Sequence, residues 1–260
     1  MKINIYQVDA FTDELFKGNP AAVCPLKKWL PDRNMQLIAC ENNLSETAFF
    51  VPEGDGFRIR WFTPATEVDL CGHATLASAH VIFNHLSYKS GKIQFNSKSG
   101  PLFISKSGDL ITLNFPAADL HKVNPPPELV RAIGKEPVET YKATDYLFLL
   151  DSQADITEVS PDFNLLRRYE TRGVIITARG DTVDFVSRFF APGAGIDEDP
   201  VTGSSHTMLT PFWAKRLGKT EMIAEQLSRR GGTLYCRMLV DRVEISGKAI
   251  TYLTGTISAG

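Results

Sequence analysis

Several whole classes of function are made improbable by what the sequence lacks. Among 260 residues there are four cysteines, Cys24, Cys40, Cys71 and Cys236, with no Cys-x-x-Cys pair. That argues against a disulfide framework and leaves reduced, mostly buried thiols as the expectation. The five histidines show no His-x-x-x-His or His-Glu-x-x-His spacing, and no cysteine cluster supports them, so no metal site is expected. There is no Gly-x-Gly-x-x-Gly or Walker pattern to hold a nucleotide cofactor. No apolar run reaches the length of a membrane span, and no charged-then-apolar leader opens the chain, which points to a cytoplasmic protein. Charge is in excess of neither sign: the net charge is −2, Lys and Arg are scattered, and no basic stretch suggests a nucleic-acid groove.

What remains is an ordinary globular composition, 43% hydrophobic and 22% charged, arranged as two similar halves. In the first, Ile3–Phe11 and Ala21–Cys24 read as a hairpin around the turn Lys17-Gly18-Asn19-Pro20. Pro31 opens a helix to about Cys40, and Asn42-Asn43 ends it. Strands follow at Ala48–Val51 and Phe57–Phe62, then a loop with Pro64, then a helix from Leu76 to about Leu86. The second half repeats that order, with a helix from Pro161 to about Tyr169, strands at Val174–Thr177 and Val183–Phe190, a loop with Pro192, and a last helical pattern after Gly203. Arg60-Trp61-Phe62-Thr63-Pro64 matches Arg188-Phe189-Phe190-Ala191-Pro192 at an offset of 128, about half the chain, which indicates a duplication. The helices after Gly72 and Gly203 are apolar nearly all round, as buried helices are. Pro211 inside the second should kink it or shift its start. Asn124-Pro125-Pro126-Pro127 reads as a stiff connector or the start of a helix.

A buried helix that begins at a glycine loop presents unpaired N–H groups and the positive end of its dipole, which suits an anion such as a substrate carboxylate. Around the first such start lie Glu67, Asp69 and His73, and around the second Asp197, Glu198, Asp199, Ser204, Ser205 and His206. Three acids in a row often form a solvated loop. Asp199, however, immediately precedes Pro-Val-Thr-Gly-Ser, where a carboxylate either caps backbone N–H groups or points inward. Glu46 lies between a helix end and the apolar strand Ala48–Val51, a setting that suits acid/base work, although a strand-start glutamate can equally face water. Aligning Ala48–Val51 with Ile175–Ala178 puts Gly173 opposite Glu46, so one acid/base group is expected and not a mirrored pair.

Four motifs in order, Gly18-Asn19-Pro20-Ala21-Ala22-Val23, Asn43-Leu44-Ser45-Glu46-Thr47-Ala48-Phe49, Leu70-Cys71-Gly72-His73-Ala74-Thr75 and Asp197-Glu198-Asp199-Pro200-Val201-Thr202-Gly203-Ser204, resemble the phenazine biosynthesis PhzF-like isomerase family over essentially the whole chain. The resemblance implies an α+β, diaminopimelate epimerase-like fold: two pseudo-symmetric domains, each a curled, mostly antiparallel sheet around a central buried helix. It implies a first half over 1–116, joined by a C-terminal strand at about 249–260, and a second half over 117–248, with the active-site cleft between them. By the same resemblance Glu46 is the catalytic acid/base, His73 and Asp199 position and polarise the substrate, and Gly203 and Ser204 bind its carboxylate, with Ser45 and Gly72 as further binding residues. Ser205 stands where many members carry alanine, a change at the pocket floor. No cofactor and no metal are implied; the partners implied are a small-molecule carboxylate substrate and a second copy in a homodimer, with no nucleic acid or membrane. The rivals are a two-base racemase using Cys71, which lacks a second thiol because Thr202 holds the corresponding position, and a non-catalytic binding module on the same fold.

Overall fold

The computed structural model describes residues 1–259. In chain order the elements are β1 (Lys2–Ala10), β2 (Asn19–Pro25), α1 (Asp32–Asn42), β3 (Glu46–Glu53), β4 (Gly56–Phe62), β5 (Glu67–Val68), α2 (Gly72–His85), β6 (Lys92–Ser97), β7 (Gly100–Ser107) and β8 (Leu110–Pro116). They continue as β9 (His121–Val123), α3 (Pro127–Ile133), β10 (Glu139–Lys142), β11 (Tyr146–Leu149), α4 (Gln153–Glu158), α5 (Phe163–Leu166), β12 (Val174–Arg179) and β13 (Phe185–Ala191). The last are β14 (Ile196–Asp199), α6 (Gly203–Leu217), β15 (Glu221–Gln226), β16 (Gly232–Met238), β17 (Arg242–Gly247) and β18 (Ala249–Ser258). The architecture is α+β, and the chain divides into two compact units, Met1–Phe115 with Ile245–Gly260, and Pro116–Glu244.

Within the first unit β2 pairs parallel with β3, β3 antiparallel with β4, β4 antiparallel with β5 and parallel with β6. The second unit repeats each step: β11 parallel with β12, β12 antiparallel with β13, β13 antiparallel with β14 and parallel with β15. Register makes the duplication residue-specific. Phe62 faces Thr47 and Glu67, while Phe190 faces Val174 and Glu198. The aligned arginines do the same work in both copies. Arg60 forks onto Glu67 through Nε and Nη2 at 2.8 and 2.9 Å, and Arg188 forks onto Glu198 at 2.7 and 3.0 Å. Each guanidinium also lies over the aromatic ring two residues on, Phe62 or Phe190. The acidic run Asp197–Asp199 is therefore strand, with Asp197 paired to Arg167 and Glu198 to Arg188, not a solvated loop.

The central helices are buried as their composition requires. Leu76, Val81 and Ile82 of α2 are fully enclosed, as is Leu209 of α6, each such side chain contributing roughly 1.5–3 kcal/mol. Ile3, Ala22, Phe49 and Phe62 belong to one core cluster, and Phe148, Val174, Ile176 and Phe190 to another. Two expectations need correction. Pro211 does not shift the start of α6, which runs unbroken from Gly203 to Leu217. The Thr207 carbonyl that Pro211 cannot serve accepts instead from the Ala118 N–H at 3.0 Å, which removes the penalty of an orphaned acceptor. The helix expected from Pro161 to Tyr169 is reduced to α5, started by Asp162, whose carboxylate accepts from the Asn164 and Leu165 N–H groups. Three of the four free thiols are buried and Cys40 is exposed, in line with the expectation of mostly buried thiols. Finally, the sequence reading of the first half stops near Leu86, and β6, β7 and β8 lie beyond it.

Candidate active site

Glu46 is the first residue of β3, and the end of α1 sets it there. Asn43 adopts a left-handed conformation at φ 49°, its N–H capping the Ala39 carbonyl, which turns the chain out of the helix. The Asn42 amide donates to Thr47 Oγ1 at 3.0 Å and ties the helix end to the strand start. His73 comes from the first turn of α2, behind Cys71 at the N-cap. Its Nε2 lies 3.2 Å from Glu46 Oε2. Both atoms are buried, and among the described residues neither makes an aligned hydrogen bond. On the other edge of the ring, Nδ1 lies 3.5 Å from Cys71 Sγ and 3.2 Å from the side-chain amide of Asn19.

Burial by itself would lower the His73 imidazole, but its close contacts with Cys71 and Glu46 outweigh it and hold the ring well above the ordinary histidine range. An imidazolium meets Asn19 through the amide oxygen, which a half-turn of the amide supplies. Cys71 is pushed up to about 11, chiefly by burial, so it is a thiol at neutral pH and a poor nucleophile. Candidate ligand atoms of Glu46, Cys71 and His73 lie within 4.8 Å of one another. That N, S and O set is of the type zinc uses. An ion would have to displace the thiol proton to bind there.

Asn19 is a site neighbour that the residue reading did not single out, although it lies in the first motif. Gly18 turns the chain into it at φ +62°, where a Cβ would stand 2.2 Å from the Ala10 carbonyl oxygen, so only glycine fits. Asn19 itself is fully buried. The signal was the Gly-Asn-Pro turn; its contact with His73, 54 positions away, has no local trace.

In the second unit, Asp199 ends β14 and accepts from Thr202 Oγ1 at 2.6 Å. It therefore meets the side chain of the helix N-cap residue, while the N–H of Thr202 is satisfied by Gln226 Oε1 at 2.9 Å. Gln226 is fully buried, and its Nε2 returns to the Asp199 carbonyl at 2.7 Å. Gly203 and Ser204 are the first residues of α6. The Ser204 hydroxyl lies 3.3 Å from both Nη1 and Nη2 of Arg172. Arg172 in turn forks onto Asp145, Nε to Oδ1 at 2.8 Å and Nη2 to Oδ2, and Asp145 is wholly buried. Burial opposes the charge on Arg172, but Asp145 more than offsets it and raises the guanidinium above its ordinary value, with a smaller contribution from Asp199. Arg172, Asp145 and Gln226 were missed by the sequence reading. Ser205 is buried with its hydroxyl turned back to the Thr202 carbonyl at 2.8 Å, so it serves the helix start and not a pocket floor.

Of the expected site residues, the first unit brings Glu46 and His73 into contact, with half-buried Ser45 and Gly72 next to them in the chain; the second unit gathers Asp199, Gly203 and Ser204 at the start of α6. The family model described as phenazine biosynthesis-like protein matches residues 8–255. The chain belongs to the phenazine biosynthesis-like family. A relative named as an uncharacterized isomerase of Pseudomonas aeruginosa is 50% identical over 257 residues, covering 99% of each chain. The crystal structure of a PhzF-family phenazine biosynthesis protein from Enterococcus faecalis superimposes with a TM-score of 0.97 at 47% identity, over 99% of this chain and 100% of that one. A predicted epimerase of Pseudomonas aeruginosa shares the fold, with a TM-score of 0.77 at 17% identity over 99% of this chain and 100% of that one. This phenazine biosynthesis-like chain is an isomerase with the diaminopimelate epimerase-like fold.

Proposed function

We propose that the chain is a cofactor-independent isomerase that moves a proton on a small carboxylic-acid substrate, with Glu46 as its single acid/base. The observation that carries this reading is the buried contact of Glu46 Oε2 with His73 Nε2 at 3.2 Å, two polar atoms that lack aligned partners and sit in the family's Ser-Glu-Thr and Gly-His-Ala-Thr motifs. The Glu46 carboxylate takes a proton from an activated carbon, the electron pair moves over the adjoining double bond, and the Glu46 carboxylic acid returns the proton to a second carbon. His73 and backbone N–H groups stabilise the charge that develops. Asp199, Gly203 and Ser204, with Ser45 and Gly72, bind the substrate. Neither the proton transfer nor the charge stabilisation calls for an electron sink beyond the substrate.

A two-base racemase working through Cys71 needs a second thiol. The shared register gives Thr202 the place of Cys71, and its hydroxyl is bonded to Asp199. The test is a screen of small unsaturated acids for hydrogen/deuterium exchange, followed by turnover of a hit deuterated at the migrating position in ordinary water. Deuterium retained at a new carbon is the expected result. Inversion at one carbon, with no migration to another, overturns the reading in favour of the racemase.

A further inference from the structure

The Arg172–Asp145–Ser204 cluster is built like a device for fixing the polarity of one hydroxyl. Asp145 is 0% exposed, and a carboxylate there is tolerable only because a cation is locked onto it. It takes Nε and one Nη2 hydrogen of Arg172. The guanidinium lies over Phe189 at 5.4 Å from the ring centroid, which holds its plane. From that fixed plane Nη1 and Nη2 both reach Ser204 Oγ at 3.3 Å. A serine hydroxyl has two acceptor sites and one hydrogen, and here both acceptor sites are taken. The hydroxyl is left with its hydrogen to give. Arg172 has five donors, of which four are committed, so one Nη1 hydrogen is also free among the described contacts. The Arg172–Ser204 pair itself therefore presents donors only, while the Asp199 carboxylate at the same helix start accepts from the Thr202 hydroxyl.

We infer that Arg172 is a positioning residue that makes Ser204 an obligate donor and thereby restricts the substrate group bound there to a carboxylate, rejecting the corresponding amide. This rests on the reading that Ser204 binds the substrate's carboxylate and deepens it. Asp145 holds the fork, and Arg172 acts through Ser204 as well as through its own remaining hydrogen. A carboxylate, which only accepts, satisfies both donors. An amide brings an N–H₂ for which the Arg172–Ser204 pair has no acceptor, and it loses the charge assistance.

The probe is the matched pair benzoate and benzamide, of like shape, titrated calorimetrically against the full chain. Removing Arg172 alone would leave Asp145 charged and buried, so the working variant is the pair Asp145→Asn/Arg172→Met, with its fold checked by circular dichroism and urea midpoint. The native protein should bind benzoate at least about tenfold more tightly than benzamide, and the pair variant should lose at least about tenfold in benzoate affinity, the scale of one charge-assisted hydrogen bond, while benzamide, whose carbonyl accepts without charge assistance, loses clearly less. Arg172→Lys should restore little, because an ammonium cannot hold Asp145 and Ser204 in one plane. Ser204→Ala in the pair background should add almost nothing, since the two act as one unit. No preference for benzoate in the native protein, equal loss of both probes in a folded pair variant, or full recovery by Arg172→Lys each overturns the inference. Glu46→Gln separates the two questions. Its turnover decides whether Glu46 is the acid/base, while benzoate selectivity decides the role of Arg172 whichever way that falls.

Discussion

The starts of α2 and α6 occupy the same place in two copies of one frame, yet they carry different chemistry. The frame is conserved down to the arginine forks, Arg60 on Glu67 and Arg188 on Glu198, each over the ring two residues on. Around it the reactive positions diverge: Glu46 against Gly173, Val68 against Asp199, Cys71 against Thr202, His73 against Ser204. The first copy assembles a carboxylate against an imidazole. The second assembles hydroxyls, an acid and a locked guanidinium. At Gly173 the divergence is enforced by space, since a Cβ there would stand 2.6 Å from the Phe189 ring and 2.7 Å from the Phe190 carbonyl oxygen. The missing acid is thus a closed position, which teaches that a duplication can keep its load-carrying ion pairs while making one reactive position unusable.

The sharpest way to break the comparison is to remove the acid that only the first copy has. Glu46→Gln should fold as the native chain does and lose at least about 10²-fold in turnover, read as hydrogen/deuterium exchange into a screened substrate. Near-native exchange would move the acid/base elsewhere. The next effect is on stability. Gly173→Ala should cost about 1–3 kcal/mol in urea unfolding, because both the Phe189 ring and a backbone carbonyl must give way. An unchanged midpoint would show that the position is merely unoccupied and not closed.

A smaller effect distinguishes the two forks. Arg188 also donates from Nη1 to the Ile156 and Val159 carbonyls at 3.1 and 2.7 Å, whereas the further partner of Arg60 is the exposed Asp32. Arg188→Met should therefore destabilise more than Arg60→Met, by about 1–3 kcal/mol for acceptors left without a donor. Equal midpoints would contradict this. Acid titration adds a sign. The hydrogen bond from Arg60 is the main cause holding Glu67 down at about 2, with Lys98 adding to it. A depressed carboxylate stabilises above its unfolded value near 4.5 and loses that contribution as pH falls toward 2, so the native chain should weaken across that window and Arg60→Met should weaken less. The smallest expected effect is at Cys71, whose thiol is protonated at neutral pH. Cys71→Ser should keep most turnover, and an inactive but folded variant would revive the racemase.

The duplication was legible because Arg60-Trp61-Phe62 and Arg188-Phe189-Phe190 serve one structural role twice, and a fixed role preserves residue type. The alignment that set Gly173 against Glu46 agrees with the strand register, since Thr47 faces Phe62 as Val174 faces Phe190. Central helices were legible from their all-round apolarity, and the α+β class from the resemblance. Arg172 was not, because its partners Asp145 and Ser204 are 27 and 32 positions away, and an arginine beside a glycine looks like any turn. The shortening of the Pro161 helix to α5 was equally hidden. Asp162 supplies a cap, but four residues are too few to bury a stripe, so packing and not propensity decided its length.

The pairing of β1 with β18 has a consequence for synthesis. Lys2–Ala10 faces Ala249–Ser258 along its length, and the Met1 amino group bonds the Ala259 carbonyl at 2.6 Å. The unit that contains Glu46 and His73 therefore cannot complete its sheet until the ribosome has delivered the segment 249–258, whereas Pro116–Glu244 is one continuous stretch that can fold while translation proceeds. The copy that holds Glu46 and His73 is thus the last to close, and a nascent chain stalled before Ala249 would carry a finished second unit together with a first unit whose β1 still lacks one neighbour.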